Sequence, residues 1–274
     1  VSASEDEMEA LAKLKGHDGL TYGEVLEQLG LDPKRLGDAR RSPESLKGYF
    51  ELHIEQGGLL ESEGLKIGVV EGIVGITRHW VTFRGNANHA GTTPMHLRKD
   101  ALVGASEMVL AVRETVHQLG GRLVGTVGFM EITPGGVNVV PGAVRMSIEL
   151  RDMDAGIVAE ATGCLAERAS AIADRYGLTV EFKEGPVVPG VPTHAAMQSI
   201  IEREAQGLGL STKRMISGAG HDAEHMATIT PTGMIFVPSK GGISHSPAEW
   251  TEWDDVANGA QVMLNSVVKL DQNR

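Results

Sequence analysis

The sequence predicts an α/β fold in which an incomplete α/β domain, assembled from both ends of the chain, carries an inserted ferredoxin-like domain. Three observations predict it. A strand at 48–54 runs straight into the glycine loop "QGGLLE". Between about residues 72 and 185 the hydrophobic periods follow the order β-α-β-β-α-β, the split βαβ arrangement of a ferredoxin-like sandwich. A Pro- and Gly-rich stretch, "KEGPVVPGVP", then returns the chain to helix and strand signals. The expected domains are therefore residues 1–71 with 186–274, and residues 72–185.

The opening "VSASEDEMEALAKLKG" reads as a polar lead-in to a helix, and residues 5–30 as two short helices. A chain that opens on Val1 is expected to be processed or excised. A charged loop, "DPKRLGDARRSPESLKG", delivers the first strand, where Phe50, Leu52 and Ile54 alternate with Tyr49, Glu51 and His53. Residues 76–84 read as a strand. Residues 97–119 read as a helix, because Leu102, Ala105, Val109, Val112, Val116 and Leu119 recur at spacings of three and four.

"LVGTVGFMEI" and "AVRMSIELRD" read as strands, the second with Val144, Met146, Ile148 and Leu150 on one face. A second amphipathic helix carries Val158, Ala161, Leu165, Ala169, Ile172 and Tyr176, and "LTVEF" closes the inserted domain. Beyond it come a helix at 194–208, a strand near 213–217, a short helix after "GAGHDA", a strand at 233–237, a Gly-Ser loop and a final helix from Asp254. The outer domain counts about three strands, thin for an α/β core. The stretch near 186–192 and the exit near Gly72 are the expected hinges.

Composition narrows the function classes. The chain has 274 residues, 41% hydrophobic and 22% charged, with 35 glycines, an ordinary α/β profile. A net charge of −11 without clustered Lys or Arg argues against a nucleic-acid partner. No apolar run reaches the roughly 18 to 20 residues of a membrane span, and no signal peptide opens the chain, so a cytoplasmic location without a membrane partner is expected. Cys164 is the single cysteine, which rules out a disulfide within the chain and reads best as a small buried hydrophobe.

Several polar side chains stand where chemistry is done. His53 ends a strand before a glycine loop, where α/β sheets place ligand groups; periodicity alone does not separate that role from a solvated edge histidine. His89, in "GNANHAGTTPM", is either an imidazole held for a developing oxyanion or a turn histidine before the next helix. Asn138, in "TPGGVNVVPG", has the look of turn chemistry. Arg151 ends its strand either as a bidentate carboxylate clamp or in an ion pair with Asp152 or Asp154. In "SGAGHDAEHMA", Gly-rich backbone opens a short helix and suits an anion; His221 and His225 at i and i+4 lack an acidic ligand pattern and read as neighbours of a site or as helix surface. His245, in "SKGGISHSPAEW", would suit a borderline divalent metal together with His53.

Taken together, "HIEQGGLLE", "GNANHAGTTPM", "GGVNVVPG", "ELRDMD", "SGAGHDA" and "GGISHSPAEW", in this order and spacing, resemble the hydantoinase/carbamoylase branch of the dinuclear-metal amidohydrolases. That branch holds N-carbamoyl-L-amino acid hydrolases and allantoate amidohydrolases on an aminoacylase- and carboxypeptidase-like metallopeptidase fold. The resemblance spans nearly the whole chain. It implies hydrolysis of a linear amide or ureido C–N bond in a small carboxylated substrate, with two divalent ions per complete site: zinc, manganese, cobalt or nickel.

By the same resemblance His53 and His245 are metal ligands, and Gln56 and the Gly220 backbone contact substrate. His89 and Asn138 hold the oxygen that becomes anionic, and Arg151 clamps the substrate carboxylate, these three reaching over the substrate often in the partner subunit's site. Residues 72–185 form the lid and the homodimer contact. The family's other ligands and its general-base Glu have no counterpart in this sequence, so the resemblance leads one to expect a C-terminal portion of a longer enzyme, inactive alone. The competing expectations are a dimerisation module without turnover, and an N-acyl amino acid or dipeptide hydrolase of the same fold.

Overall fold

A computed structural model describes residues 5–16 and 18–272, so the polar lead-in at 1–4 lies outside the described residues. The described residues separate into two compact units: those within 5–71, 193–215 and 221–272 form the first, and residues 72–192 with 216–220 the second.

In the first unit, helices α1 (Glu5–Ala12) and α2 (Tyr22–Gln28) precede strand β1 (Tyr49–Ile54), a short helix α3 (Leu59–Glu63) and strand β2 (Ile67–Ile73), which runs on into the second unit. Thr21 starts α2 with a reciprocal capping box to Glu24. After the second unit come α6 (Ala195–Gly207), β11 (Thr212–Ser217), α7 (Asp222–Met226), β12 (Thr232–Val237) and α8 (Trp253–Gln272). β1 pairs in parallel with β12, β12 pairs antiparallel with β2, and β11 also pairs β2. α6 and α8 cover one face of this sheet. There Phe50, Leu52 and Ile54 join Ile201, Ile235, Val237 and Val262 in a core. The alternation along β1 thus buries Phe50 and packs the half-buried Leu52 and Ile54 against the helices, and leaves Glu51 and His53 on the other face.

β2 is the strand that pattern reading passes over. Its residues are almost all buried, so it shows no alternation, and two glycines interrupt the apolar run. Gly68 is there for space: a Cβ on it would lie 2.6 Å from Met215 Sδ and 2.8 Å from Phe236 Cβ.

The second unit holds β3 (Gly75–Arg84), β4 (Asn88–His89), α4 (Ala101–Leu119), β5 (Val124–Thr133), β6 (Val139–Val140), β7 (Ala143–Asp152), α5 (Ala155–Tyr176), β8 (Thr179–Lys183), β9 (Val187–Val188) and β10 (Val191–Pro192). The main sheet runs β5-β7-β3-β8, antiparallel throughout, with β9 added to β3. α4 and α5 pack on one face. Val81, Phe83, Met108, Met146, Ile148, Leu150 and Leu165 form the centre of that core. α4 begins at Ala101 rather than at 97, because Asp100 accepts the Leu102 N–H as its N-cap and Met95–Leu97 form a separate 3-10 turn. No helix among the described residues is long and apolar enough to cross a membrane.

One buried group in this core is costly. Thr162 donates its hydroxyl to the Val158 carbonyl, so its oxygen accepts from His79 Nε2 at 3.1 Å. His79 is only 1% exposed, and its Nδ1 has no hydrogen-bond partner among the described residues. Burial lowers its pKa below the ordinary 6.5, against a smaller upward pull from Glu184. The unfolded chain therefore takes up a proton first as pH falls. This contribution to stability is complete above about pH 6.5 and drains away as pH drops towards the lowered folded value. In urea unfolding followed by tryptophan fluorescence, wild type is expected to lose more stability between pH 8 and pH 5 than His79→Leu; equal losses would remove His79 as the cause.

Candidate functional site

The site groups in the first unit gather at the carboxyl end of the parallel β1–β12 pair, where side chains of an α/β sheet meet ligands. Register places His53 opposite Phe236 and Ile54 opposite Val237. The loops leaving the two strands therefore start side by side, and Glu55 N–H continues the ladder to the Val237 carbonyl.

His53 Nδ1 lies 2.8 Å from the Ile54 carbonyl. A carbonyl only accepts, so Nδ1 carries the proton and Nε2 is the lone-pair nitrogen of the neutral ring. The ring meets His221 edge-on, with centroids 4.6 Å apart, and His221 in turn packs on Phe236 at 5.7 Å. His221 immediately precedes α7 and is buried. Burial, followed by the neighbouring His53, pushes its pKa down to about 4, so at neutral pH it is an uncharged ring. Its Nδ1 is 3.6 Å from a Glu51 oxygen, and the other Glu51 oxygen accepts the Ala223 N–H at 2.8 Å. Glu51 therefore ties α7 to the strand that carries His53. From sequence alone His221 reads as a neighbour of a site or as helix surface, and Glu51 as a polar residue of the strand. Glu51's place two residues before His53, on the same strand face, is the one local signal that pointed to it.

Gln56 and His245 are the two non-glycine residues with positive φ among those described, at 58° and 55°. Each position costs energy in a side-chain-bearing residue. They lie against each other: Gln56 Nε2 is 3.5 Å from His245 Nε2 and donates to Ser244 Oγ at 3.2 Å. Gln56 N–H donates to the buried Ser239 hydroxyl at 3.0 Å. Glu249 holds the His245 turn by accepting from Ser244 Oγ at 2.8 Å and from His245 N–H at 3.0 Å. These two hydrogen bonds, with smaller charge effects from His245 and His53, keep the Glu249 carboxyl below its ordinary value. His225 is exposed on α7.

In the second unit, β4 and β6 form a two-stranded ribbon in which His89 faces Val139, and Ala90 N–H reaches the Asn138 carbonyl at 2.9 Å. The structure thus brings His89 and Asn138 together, both exposed. His89 Nδ1 accepts N–H groups from Gly91 at 3.0 Å and Thr92 at 3.3 Å. Its ring proton accordingly sits on Nε2, which is left as a donor. Arg151 pairs with Glu149, Nε to Oε1 at 2.7 Å, rather than with Asp152 or Asp154, and donates from one terminal nitrogen to the Gly218 carbonyl at 2.7 Å. Burial raises the Glu149 carboxyl, but hydrogen bonds and charge from Arg78 and Arg151 more than offset it and leave the pKa below its ordinary value. Gly220 lies two residues after Gly218, whose carbonyl Arg151 holds, and groups with the second unit.

Among the described residues no group of three or more His, Cys, Asp or Glu side chains is placed to hold a metal ion.

Residues 11–269 match the model of peptidase family M20/M25/M40. An N-carbamoyl-L-amino acid amidohydrolase of Geobacillus stearothermophilus is 40% identical over 255 residues, covering 93% of this chain and 62% of that protein. The allantoate amidohydrolase of Escherichia coli K12 is 38% identical, covering 98% and 64%. Among solved structures, a hydantoinase/carbamoylase family amidase from Burkholderia multivorans superposes with a TM-score of 0.84 at 34% identity, covering 96% and 63%. The chain thus spans less than two thirds of the length of these relatives.

The approach of the two loops in the first unit gives a test. Gly242 has φ of +64°, and a Cβ on it would lie 2.7 Å from Gly58 N. Gly242→Ala combines a left-handed alanine with a backbone collision. It is expected to cost roughly 1–3 kcal/mol and to speed amide exchange at both Gln56 and His245; a variant as stable and as protected as wild type would show that the close approach is dispensable.

Proposed function

Because the chain belongs to peptidase family M20/M25/M40, we propose that it takes part in metal-dependent hydrolysis of a linear amide or ureido C–N bond, in a substrate of the N-carbamoyl amino acid or allantoate type. The observation that carries this reading is a pair of opposite imidazole tautomers. His53 keeps its proton on Nδ1, donated to the Ile54 carbonyl, and its lone pair on Nε2, as a cation ligand needs. His89 does the reverse and keeps an Nε2 proton, as an oxyanion donor needs.

His53 and His245 fit a borderline divalent ion such as zinc, manganese, cobalt or nickel, and the Ile54 carbonyl supplies the outer hydrogen bond that typically orients a ligating histidine. Two imidazoles do not close a coordination sphere, so they are part of a ligand set. When bound, such an ion polarises the scissile carbonyl and makes water more acidic. Other residues of the chain would contact the substrate. His89 Nε2–H and the Asn138 amide donate to the oxygen that gains charge. Gln56, its amide already beside His245, and the Gly220 backbone contact the substrate. Arg151 spends one N–H of each nitrogen on Glu149 and Gly218, which leaves one on each terminal nitrogen, the pair that a bidentate carboxylate takes.

The same reading makes residues 72–185 a lid and a homodimer contact. β5 supports the second role: it is an edge strand, and Val124 and Phe129 on it are 53% and 45% exposed. An unguarded apolar edge is a template for another strand. This observation also favours the alternative that the chain acts as an association module without turnover.

In an enzyme whose ligand set and general base are complete, assays with added manganese or zinc are expected to show hydrolysis of N-carbamoyl amino acids or allantoate ahead of dipeptides and N-acyl amino acids, whereas the purified chain alone is expected to show no turnover. The reverse preference would move the reading to the peptidase side, and dimers of that enzyme without bound metal or turnover would favour the association module. In that complete enzyme Arg151→Ala is expected to raise KM for carboxylated substrates roughly 10- to 100-fold, the worth of a charge-assisted pair; an unchanged KM would remove its proposed role. His89→Ala is expected to lower kcat by about 10² to 10³.

A further inference from the structure

His89 stands on an exposed loop, where an imidazole left to itself exchanges its proton between both nitrogens. Its fixed tautomer therefore needs a cause in the loop. Thr93 closes the turn by donating N–H and Oγ1–H to the His89 carbonyl, at 3.1 Å and 2.7 Å. Gly91 lets the turn wrap onto the ring: a Cβ there would come 3.3 Å from His89 Cε1. That closure leaves the carbonyls of Ala90 and Thr93 to be satisfied, and one side chain takes both. Arg98 donates from Nε to Thr93 O at 3.0 Å and from a terminal nitrogen to Ala90 O at 2.5 Å.

The Ala90 carbonyl and the Gly91 N–H belong to one planar trans peptide and point in opposite directions. Holding the oxygen fixes the direction of the N–H, and that N–H ends on His89 Nδ1. Thr93 O precedes Pro94, whose nitrogen has no N–H, so that peptide can be held only by its oxygen. Arg98 is brought into reach by the turn after Pro94, where Leu97 N–H bonds the Pro94 carbonyl and Arg98 N–H the Met95 carbonyl. It is half-buried, and among the described residues it has no carboxylate partner, so its hydrogen bonds go to this loop. A planar guanidinium spans two carbonyls as a lysine ammonium, a single point on a flexible stem, does not.

We propose that Arg98 is a positioning residue for His89: its grip on the Ala90 carbonyl aims the Gly91 N–H at Nδ1, its grip on the Thr93 carbonyl holds the turn whose Thr92 N–H reaches the same nitrogen, and together these keep the ring proton on Nε2. The inference gives the proposed oxyanion donor its working tautomer and rests on that reading only for its catalytic meaning.

The test reads the ring directly. Two-bond 1H–15N correlation spectra of 15N-labelled protein at pH 8, with His89 assigned through His89→Gln, are expected to show a pyridine-type Nδ1 and a pyrrole-type Nε2. In Arg98→Met both ring shifts are expected to move towards the averaged pattern of exposed His96, with at least roughly tenfold faster exchange of the Gly91 amide. Arg98→Lys is expected to fall between the two, and it decides the matter should the methionine variant fail to fold. A ring pattern and Gly91 protection unchanged in the folded variants would overturn the inference, whatever the enzyme activity. If the tautomer mixes in Arg98→Met while His89→Ala leaves turnover of an N-carbamoyl amino acid by the complete enzyme intact, the positioning role stands and the oxyanion reading of His89 fails.

Discussion

The parallel pairing of β1 on β12 is the constraint from which the first unit's site follows. It joins residues about 180 positions apart in sequence, and its register brings the ends of both strands to one edge. From that edge the glycine loop after β1 and the loop carrying His245 leave together, and Gly58 and Gly242 let their backbones touch. The other face of the same strands carries Glu51 and His53, and α7 is fastened there by Glu51 accepting the Ala223 N–H. A slip of one residue in this pairing would turn His53 into the apolar core and Leu52 out of it. Burial of Phe50, Leu52 and Ile54 against α6 and α8 is what makes such a slip expensive.

Backbone groups, more than other side chains, set the chemistry of the two imidazoles. The Ile54 carbonyl fixes one proton on His53, and two peptide N–H groups exclude a proton from the same nitrogen of His89. These contacts are local, within one to three residues, yet each depends on a backbone direction that local sequence does not impose. The strain at Gln56 and His245 has the same origin. Both residues hold left-handed φ values because the ladder to Ser239, Ser244 and Glu249 over-determines the loop.

Much of the architecture was legible because burial follows period. The alternation in β1, β3 and β7 and the three-four spacing in α4 and α5 mark faces that the structure buries. β2 was not legible, because a strand buried on both faces has no alternation to show. α4 starts four residues later than the apolar spacing predicts, since that spacing does not reveal that Asp100 caps the helix or that Arg98 bonds the preceding turn.

The sequence by itself determined which residue types stand at strand ends and in glycine loops, and so which side chains were candidates: His53, Gln56, His89, Asn138, Arg151, Gly220 and His245. Only the tertiary structure decided how they are used. It buried His221 against His53 as a neutral ring, gave Arg151 to Glu149 and Gly218 instead of its sequence neighbours, and assigned opposite tautomers to His53 and His89. The physical reason is that periodicity encodes the face a side chain occupies. Its partner and its protonation depend on strand register, loop closure and desolvation, which come from segments far apart in the chain.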